Sequence, residues 1–123
     1  MSKTLIQLAL LLSIVLSQPF SLAQTITCKS RDTYWVDLSD DGTILVAGDR
    51  GKTFVYLRQN DGTFEPSQTL TEVEGYSMVT DITADGSKLL EVDKNTGKGR
   101  VYENSNNTFT LAHTINPSNG SRD

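Results

Sequence analysis

The sequence predicts an all-β protein built of two tandem four-stranded antiparallel meanders, and three observations carry that expectation. An internal repeat of roughly 45 residues pairs Asp37-Leu38-Ser39-Asp40-Asp41-Gly42-Thr43 with Asp81-Ile82-Thr83-Ala84-Asp85-Gly86-Ser87. Short apolar runs alternate with Asp-Gly and Asn-Asp-Gly turn signals. Beyond the first twenty residues no segment sustains a helical period.

The opening segment stands apart from the repeat. After Lys3, Leu5 to Leu16 is apolar except for Gln7 and Ser13. At a helical rise of about 1.5 Å per residue this run covers roughly 18 Å, short of the roughly 30 Å hydrocarbon core. Pro19 ends the run, and Ser21-Leu22-Ala23 places small residues at both positions a signal peptidase reads. Residues 1–23 are therefore expected to be a cleaved signal peptide, with Gln24 as the new N-terminus and a secreted, extracellular location. Cys28 lies past the cut rather than at it, which argues against a lipid anchor.

The remaining 100 residues carry ten basic and fifteen acidic side chains, a net charge of −5. The basic residues are scattered, so the clustered positive face that nucleic acid or an anionic membrane requires is missing. With one cysteine the chain cannot form an internal disulfide. Cys28 is then either a free thiol or a candidate for an intermolecular disulfide.

Residues 24–33 precede the first meander, and in them Gln24-Thr25-Ile26-Thr27 repeats Gln68-Thr69-Leu70-Thr71. This makes the segment a candidate fourth strand donated to another subunit. The first repeat, 34–76, is expected to hold strands at Tyr34 to Leu38, Ile44 to Gly48, Thr53 to Arg58 and Phe64 to Leu70. The second, 77–115, is expected to hold Met78 to Thr83, Lys88 to Val92, Arg100 to Glu103 and Thr108 to Ile115. Connections this short force antiparallel neighbours. Ile44-Leu45-Val46-Ala47 and Leu89-Leu90 are continuously apolar, which predicts a second strand covered on both faces in each repeat. Residues 116–123 form a polar tail.

Four strands in about 45 residues, Asp-Gly after the first strand, and Val55-Tyr56 matched by Val101-Tyr102 in the third resemble the blade of a WD-repeat-like β-propeller. The Gly-His and Trp-Asp dipeptides of true WD repeats are absent, and FG-GAP and quinoprotein-like propellers share the looser pattern. The resemblance implies two propeller-type blades, too few to close a ring, completed by other subunits as in two-blade units that oligomerise. Two meanders in an ordinary β-sandwich remain the alternative.

Candidate sites each have a structural reading beside the functional one. Asp37-x-Ser39-x-Asp41-Gly42 and Asp81-x-Thr83-x-Asp85-Gly86 match the start of a calcium loop, but the twelfth positions are Gly48 and Val92 where a bidentate Glu is needed. They read first as turns. His113 has no second histidine to join, so neither a metal site nor a nucleophile pair is indicated, and no catalytic residue or cofactor is expected. Asn106-Asn107-Thr108 and Asn119-Gly120-Ser121 are glycosylation sequons. Tyr34, Trp35, Tyr56, Tyr76 and Tyr102 are aromatic residues a sugar could stack on, although the repeated pair Tyr56 and Tyr102 also suits a repeated packing position. The expectation is a secreted, non-enzymatic self-assembling or binding protein, ring or filament, whose partner is itself. The alternative is a carbohydrate-binding, lectin-like module.

Overall fold

The computed structural model describes residues 21–27, 35–70 and 78–118. Cys28, Tyr34, Tyr76, Asn119 and most of the expected signal peptide lie outside them. The chain forms eight strands: β1 (Trp35–Leu38), β2 (Ile44–Asp49), β3 (Lys52–Arg58), β4 (Phe64–Leu70), β5 (Met78–Ile82), β6 (Lys88–Asp93), β7 (Gly99–Ser105) and β8 (Thr108–Ile115). They make two open antiparallel sheets, β1-β2-β3-β4 and β5-β6-β7-β8, each a simple meander. The repeat extends to an irregularity: the β3–β4 register shifts between Val55 and Tyr56, and the β7–β8 register shifts between Val101 and Tyr102.

Turn chemistry sets the strand boundaries. The turn glycines Gly42, Gly51, Gly62, Gly86 and Gly97 all have positive φ. The last hairpin uses Asn106 and Asn107 instead, at φ 50° and 62°, the left-handed pair that a two-residue hairpin demands and that Asn tolerates best after Gly. Aspartates lock the other turns from within. Asp61 accepts from Thr63 N–H and Oγ1, and Asp93 accepts from Asn95 N–H and from Thr96 Oγ1 at 2.7 Å.

The core lies between the two sheets. Ile44, Val46, Val55 and Leu70 from the first sheet meet Ile82, Leu89, Tyr102 and Phe109 from the second, with Leu57 packed at the edge. Fully burying a side chain of this size is worth about 1.5–3 kcal/mol, so neither sheet could lose the other without forfeiting several such terms at once. A polar pair sits inside this layer: Tyr102 Oη donates to the buried Glu91 Oε2 at 2.9 Å, and Glu91 faces Arg100 across the β6–β7 ladder. The hydroxyl donor satisfies a carboxylate oxygen that water does not reach.

Coverage of the second strands differs between the repeats. β2 is buried on both faces, with Val46 fully covered and Ala47 at 3% exposure. In β6 only the inward residues Leu89, Glu91 and Asp93 are buried, while Leu90 is 37% exposed. Among the described residues the second sheet is packed against on one face alone.

Gly42 and Gly86 are repeat equivalents with nearly the same φ, +69° and +70°, but different surroundings. A Cβ on Gly86 would come within 2.9 Å of Ile44 Cδ1 in the core, whereas one on Gly42 would meet only Arg58 at 4.0 Å. Gly42→Ala should cost about 1–2 kcal/mol for the left-handed backbone alone. Gly86→Ala should cost at least about 1 kcal/mol more, because Ile44 must shift in a packed layer. Urea unfolding of both variants checks this; equal losses would mean that Ile44 yields freely.

Candidate functional site

The strongest constellation in the molecule is the interface between its two sheets, and its geometry follows from strand register. Directly opposed residues share a face, so the pairings Val46↔Val55 and Thr53↔Leu70 put Val46, Val55 and Leu70 on one face of the first sheet. The pairings Leu89↔Tyr102 and Asn104↔Phe109 likewise put Leu89, Tyr102 and Phe109 on one face of the second. By repeat position, the counterparts of Leu89, Tyr102 and Phe109 in the first sheet are Leu45, Tyr56 and Phe64. Leu45↔Tyr56 and Arg58↔Phe64 place these on the face turned away from the core. The sheets therefore stack front to back. A sandwich with two-fold symmetry would instead bring equivalent faces together.

Hydrogen bonds tie the stack at both ends. At the first edge of each sheet, Ile82 N–H on β5 donates to Asp37 Oδ2 on β1 at 2.9 Å, and just past these strands Asp40 N–H donates to the Ala84 carbonyl at 2.8 Å. At the opposite edge, on β4 and β8, the Gln68 side chain brackets the backbone of Phe109, donating from Nε2 to its carbonyl at 2.8 Å and accepting its N–H at Oε1 at 2.9 Å. Lys94 Nζ stands 5.0 Å from the centre of the Trp35 ring, a cation over an aromatic face.

The same bracket occurs a second time. Gln24 donates from Nε2 to the Phe64 carbonyl at 2.9 Å and accepts the Phe64 N–H at Oε1 at 2.7 Å. Gln24 is the repeat equivalent of Gln68, and Phe64 of Phe109. Residues 24–27 thus lie on the outer face of the first sheet where the fourth strand of a preceding sheet would lie, although they pair in no sheet themselves. Between this segment and the sheet runs a groove of about 440 Å³ lined by Phe54, Tyr56, Phe64, Pro66 and Thr69. A groove of about 270 Å³ lies at the equivalent place between the sheets, beside Gln68, Tyr102 and Phe109.

The free face of the second sheet carries the counterparts of the core residues Val46, Val55 and Leu70. Leu90↔Val101 and Gly99↔Ile115 align Leu90, Val101 and Ile115 in one apolar strip, with Ile115 55% exposed. Lys88 and Glu103 border it as an ion pair at 3.0 Å in the places of Ile44 and Leu57. His113, opposite Val101, takes the place of Gln68.

The aspartates singled out in the sequence divide into two groups. Asp41 and Asp85 serve their own turns: Asp41 Oδ1 accepts from Ser39 Oγ, Thr43 N–H and Thr43 Oγ1, and Asp85 Oδ1 accepts from Thr83 Oγ1 and Ser87 N–H. Thr43, by side chain and backbone, and Ser39 hold Asp41 below the ordinary carboxylate range; Ser87 and Thr83 pull Asp85 down to about 2. Asp37 and Asp81 sit instead on the edge strands β1 and β5. Burial works to raise Asp37, but hydrogen bonds from Ile82 N–H, Asp81 and Leu38 N–H hold it low. Asp81 is raised by its hydrogen bond to Asp37, by burial and by the Asp37 charge. The structure does not gather Asp37, Ser39 and Asp41 around one point, and among the described residues no three His, Cys, Asp or Glu side chains could share a metal ion.

The other sequence candidates are dispersed. His113 is exposed on β8, and Asn106 is exposed at the tip of the last hairpin. Tyr56 and Tyr102 are 5% and 2% exposed and pack rather than present a ring. Among the described residues no helix is long and apolar enough to cross a membrane. The functional residues that sequence reasoning passed over are Gln68, Phe109, Phe64 and the tethering role of Asp37. The signal for the first was present in the Gln24 and Gln68 repeat, but a side chain that binds another sheet's backbone leaves no partner motif to read. The chain matches no protein-family model, no curated protein and no solved structure.

Two expectations follow. Gln68→Ala should destabilise by about 1–3 kcal/mol, since the Phe109 N–H and carbonyl lose their bracket. In Gln68→Glu a carboxylate would face the Phe109 carbonyl and its folded-state pKa would rise. The stability deficit against the parent should then be present at pH 7 and shrink below about pH 4, where a protonated acid restores the donor. Urea titrations at both pH values check this, and a pH-independent deficit would argue against the bracket. Asp41, Asp61 and Asp85 have folded-state pKa values below the ordinary 3.8, so their contribution holds above that value and is lost as pH falls through it toward about 2. The triple Asn variant should show a shallower loss of stability between pH 4 and pH 2.

Proposed function

We propose that the chain is a secreted, non-enzymatic protein that assembles with itself, copies stacking front to back as its own two sheets do, into a ring or a filament of WD-repeat-like blades. The observation that supports this most directly is the reuse of one interface. The receiving residues Leu89, Tyr102 and Phe109 recur identically as Leu45, Tyr56 and Phe64 on one outer face. The inserting residues Val46, Val55 and Leu70 recur as Leu90, Val101 and Ile115 on the other. A front-to-back contact never consumes both of its surfaces within one chain, and repetition closes a ring or extends a filament according to the rotation per copy. An apolar strip left open invites association, at roughly 25 cal/mol for each Å² covered.

Secretion rests on residues 1–23, and glycosylation on Asn106 at an exposed hairpin tip and Asn119 in the tail. Carbohydrate binding is the second reading, favoured by the aromatic groove beside Tyr56 and Phe64. Against it, both repeated tyrosines are buried, so neither offers a ring face to a sugar.

Sedimentation velocity at micromolar concentration under reducing conditions should find species heavier than one chain. Leu90→Glu, at a position already partly exposed, should reduce them to monomers without changing the circular dichroism. A parent protein that is a monodisperse folded monomer over this range would overturn the reading.

A further inference from the structure

We propose that residues 24–27 form a built-in cap, holding on the first sheet the seat that the last strand of a second copy must take, and so setting how readily copies associate. The inference rests on the self-assembly reading. If copies stack as the internal sheets do, β8 of one copy arrives on the next copy's first sheet where β4 sits on the second sheet. His113, Thr114 and Ile115 of the incoming copy would then occupy the places of Gln68, Thr69 and Leu70. That place is already filled. Gln24 brackets Phe64 at 2.9 and 2.7 Å as Gln68 brackets Phe109 at 2.8 and 2.9 Å, and the half-buried Ile26 stands where Leu70 stands in the repeat.

The contest has a definable balance. The capping segment contributes one amide bracket and one aliphatic side chain, and its described backbone joins no sheet. It also leaves the groove over Phe54 and Tyr56 open. The incoming copy contributes Leu90, Val101 and Ile115, but its bracket position is His113. A carboxamide offers a donor and an acceptor side by side to one residue's backbone, whereas the two imidazole nitrogens point apart and cannot serve both groups of Phe64 at once. The chain's own glutamine therefore keeps a hydrogen-bonding advantage at this seat, and assembly proceeds only when apolar burial outweighs it.

Substitutions on the two sides of the seat should act in one direction. Gln24→Ala weakens the cap and should tighten self-association about tenfold, the worth of one to two hydrogen bonds. His113→Gln gives the incoming strand the missing bracket and should also tighten it, with Gln24 intact. The measurement is sedimentation velocity across a concentration series under reducing conditions, with thermal melts to establish that both variants are folded. Hydrogen exchange at the Phe64 amide supplies a second readout and should speed up in monomeric Gln24→Ala. Association that is unchanged or weakened in Gln24→Ala would overturn the cap while leaving self-assembly standing. Parent and both variants remaining folded monomers at every concentration would overturn both.

Discussion

Front-to-back stacking of inequivalent sheet faces is the constraint on which the rest of this structure depends. A four-stranded meander is a thin object, and by itself it could cover neither of its faces. Placing Val46, Val55 and Leu70 of one sheet against Leu89, Tyr102 and Phe109 of the next gives both a dry side. Because the two sheets are copies, the arrangement that solves burial once restates the problem at each end. Everything distinctive outside the core, from the apolar strip on β6, β7 and β8 to the docked segment before β1, lies on one of those ends.

Polar groups decide how the faces meet as much as apolar ones do. Asp37 reaches from the edge strand β1 to the backbone of the second sheet, and Gln68 does so from the opposite edge strand, β4, so the stack is tied at both edges while aliphatic groups fill the middle. Glu91 adds a polar group inside the layer, with Tyr102 as its donor. The counterpart of Glu91 in the first sheet is Ala47, on the face that the docked segment overlies. A buried carboxylate thus accompanies the contact that is internal to every chain and is missing from the one that faces outward.

Much of the architecture was legible in the sequence because it rests on local rules. Asp-Gly and Asn-Asp-Gly turns, a fixed repeat and short apolar runs specify hairpins directly, and β4 and β8 begin and end at the residues these rules indicate. β2, β3, β6 and β7 run slightly longer, as at Asp49 and Gly99 to Ser105, because ladder hydrogen bonds continue past the expected ends, whereas β5 stops one residue short, at Ile82. The continuous apolar pair Leu89-Leu90 indicates a strand covered on both faces, but β6 is covered on the Leu89 side alone among the described residues, with Leu90 37% exposed. The tethers were illegible for a different reason. Asp37 and Gln68 bind main-chain groups of another sheet, and main-chain groups carry no residue identity that a sequence could display. Asp37 accordingly looked like the first position of a calcium loop.

The glutamine bracket also makes alignment discrete. Aliphatic side chains pack nearly as well if one sheet slides a little over another, so a purely apolar contact would tolerate a range of offsets. Gln68 removes that freedom. A slip of one residue would turn the next backbone N–H and carbonyl the other way, and a slip of two would miss by roughly 7 Å, twice the strand rise. The amide works as a detent, admitting a single setting for how far one sheet lies along the other. Within the chain, one carboxamide at the contact between the sheets is enough to fix that setting.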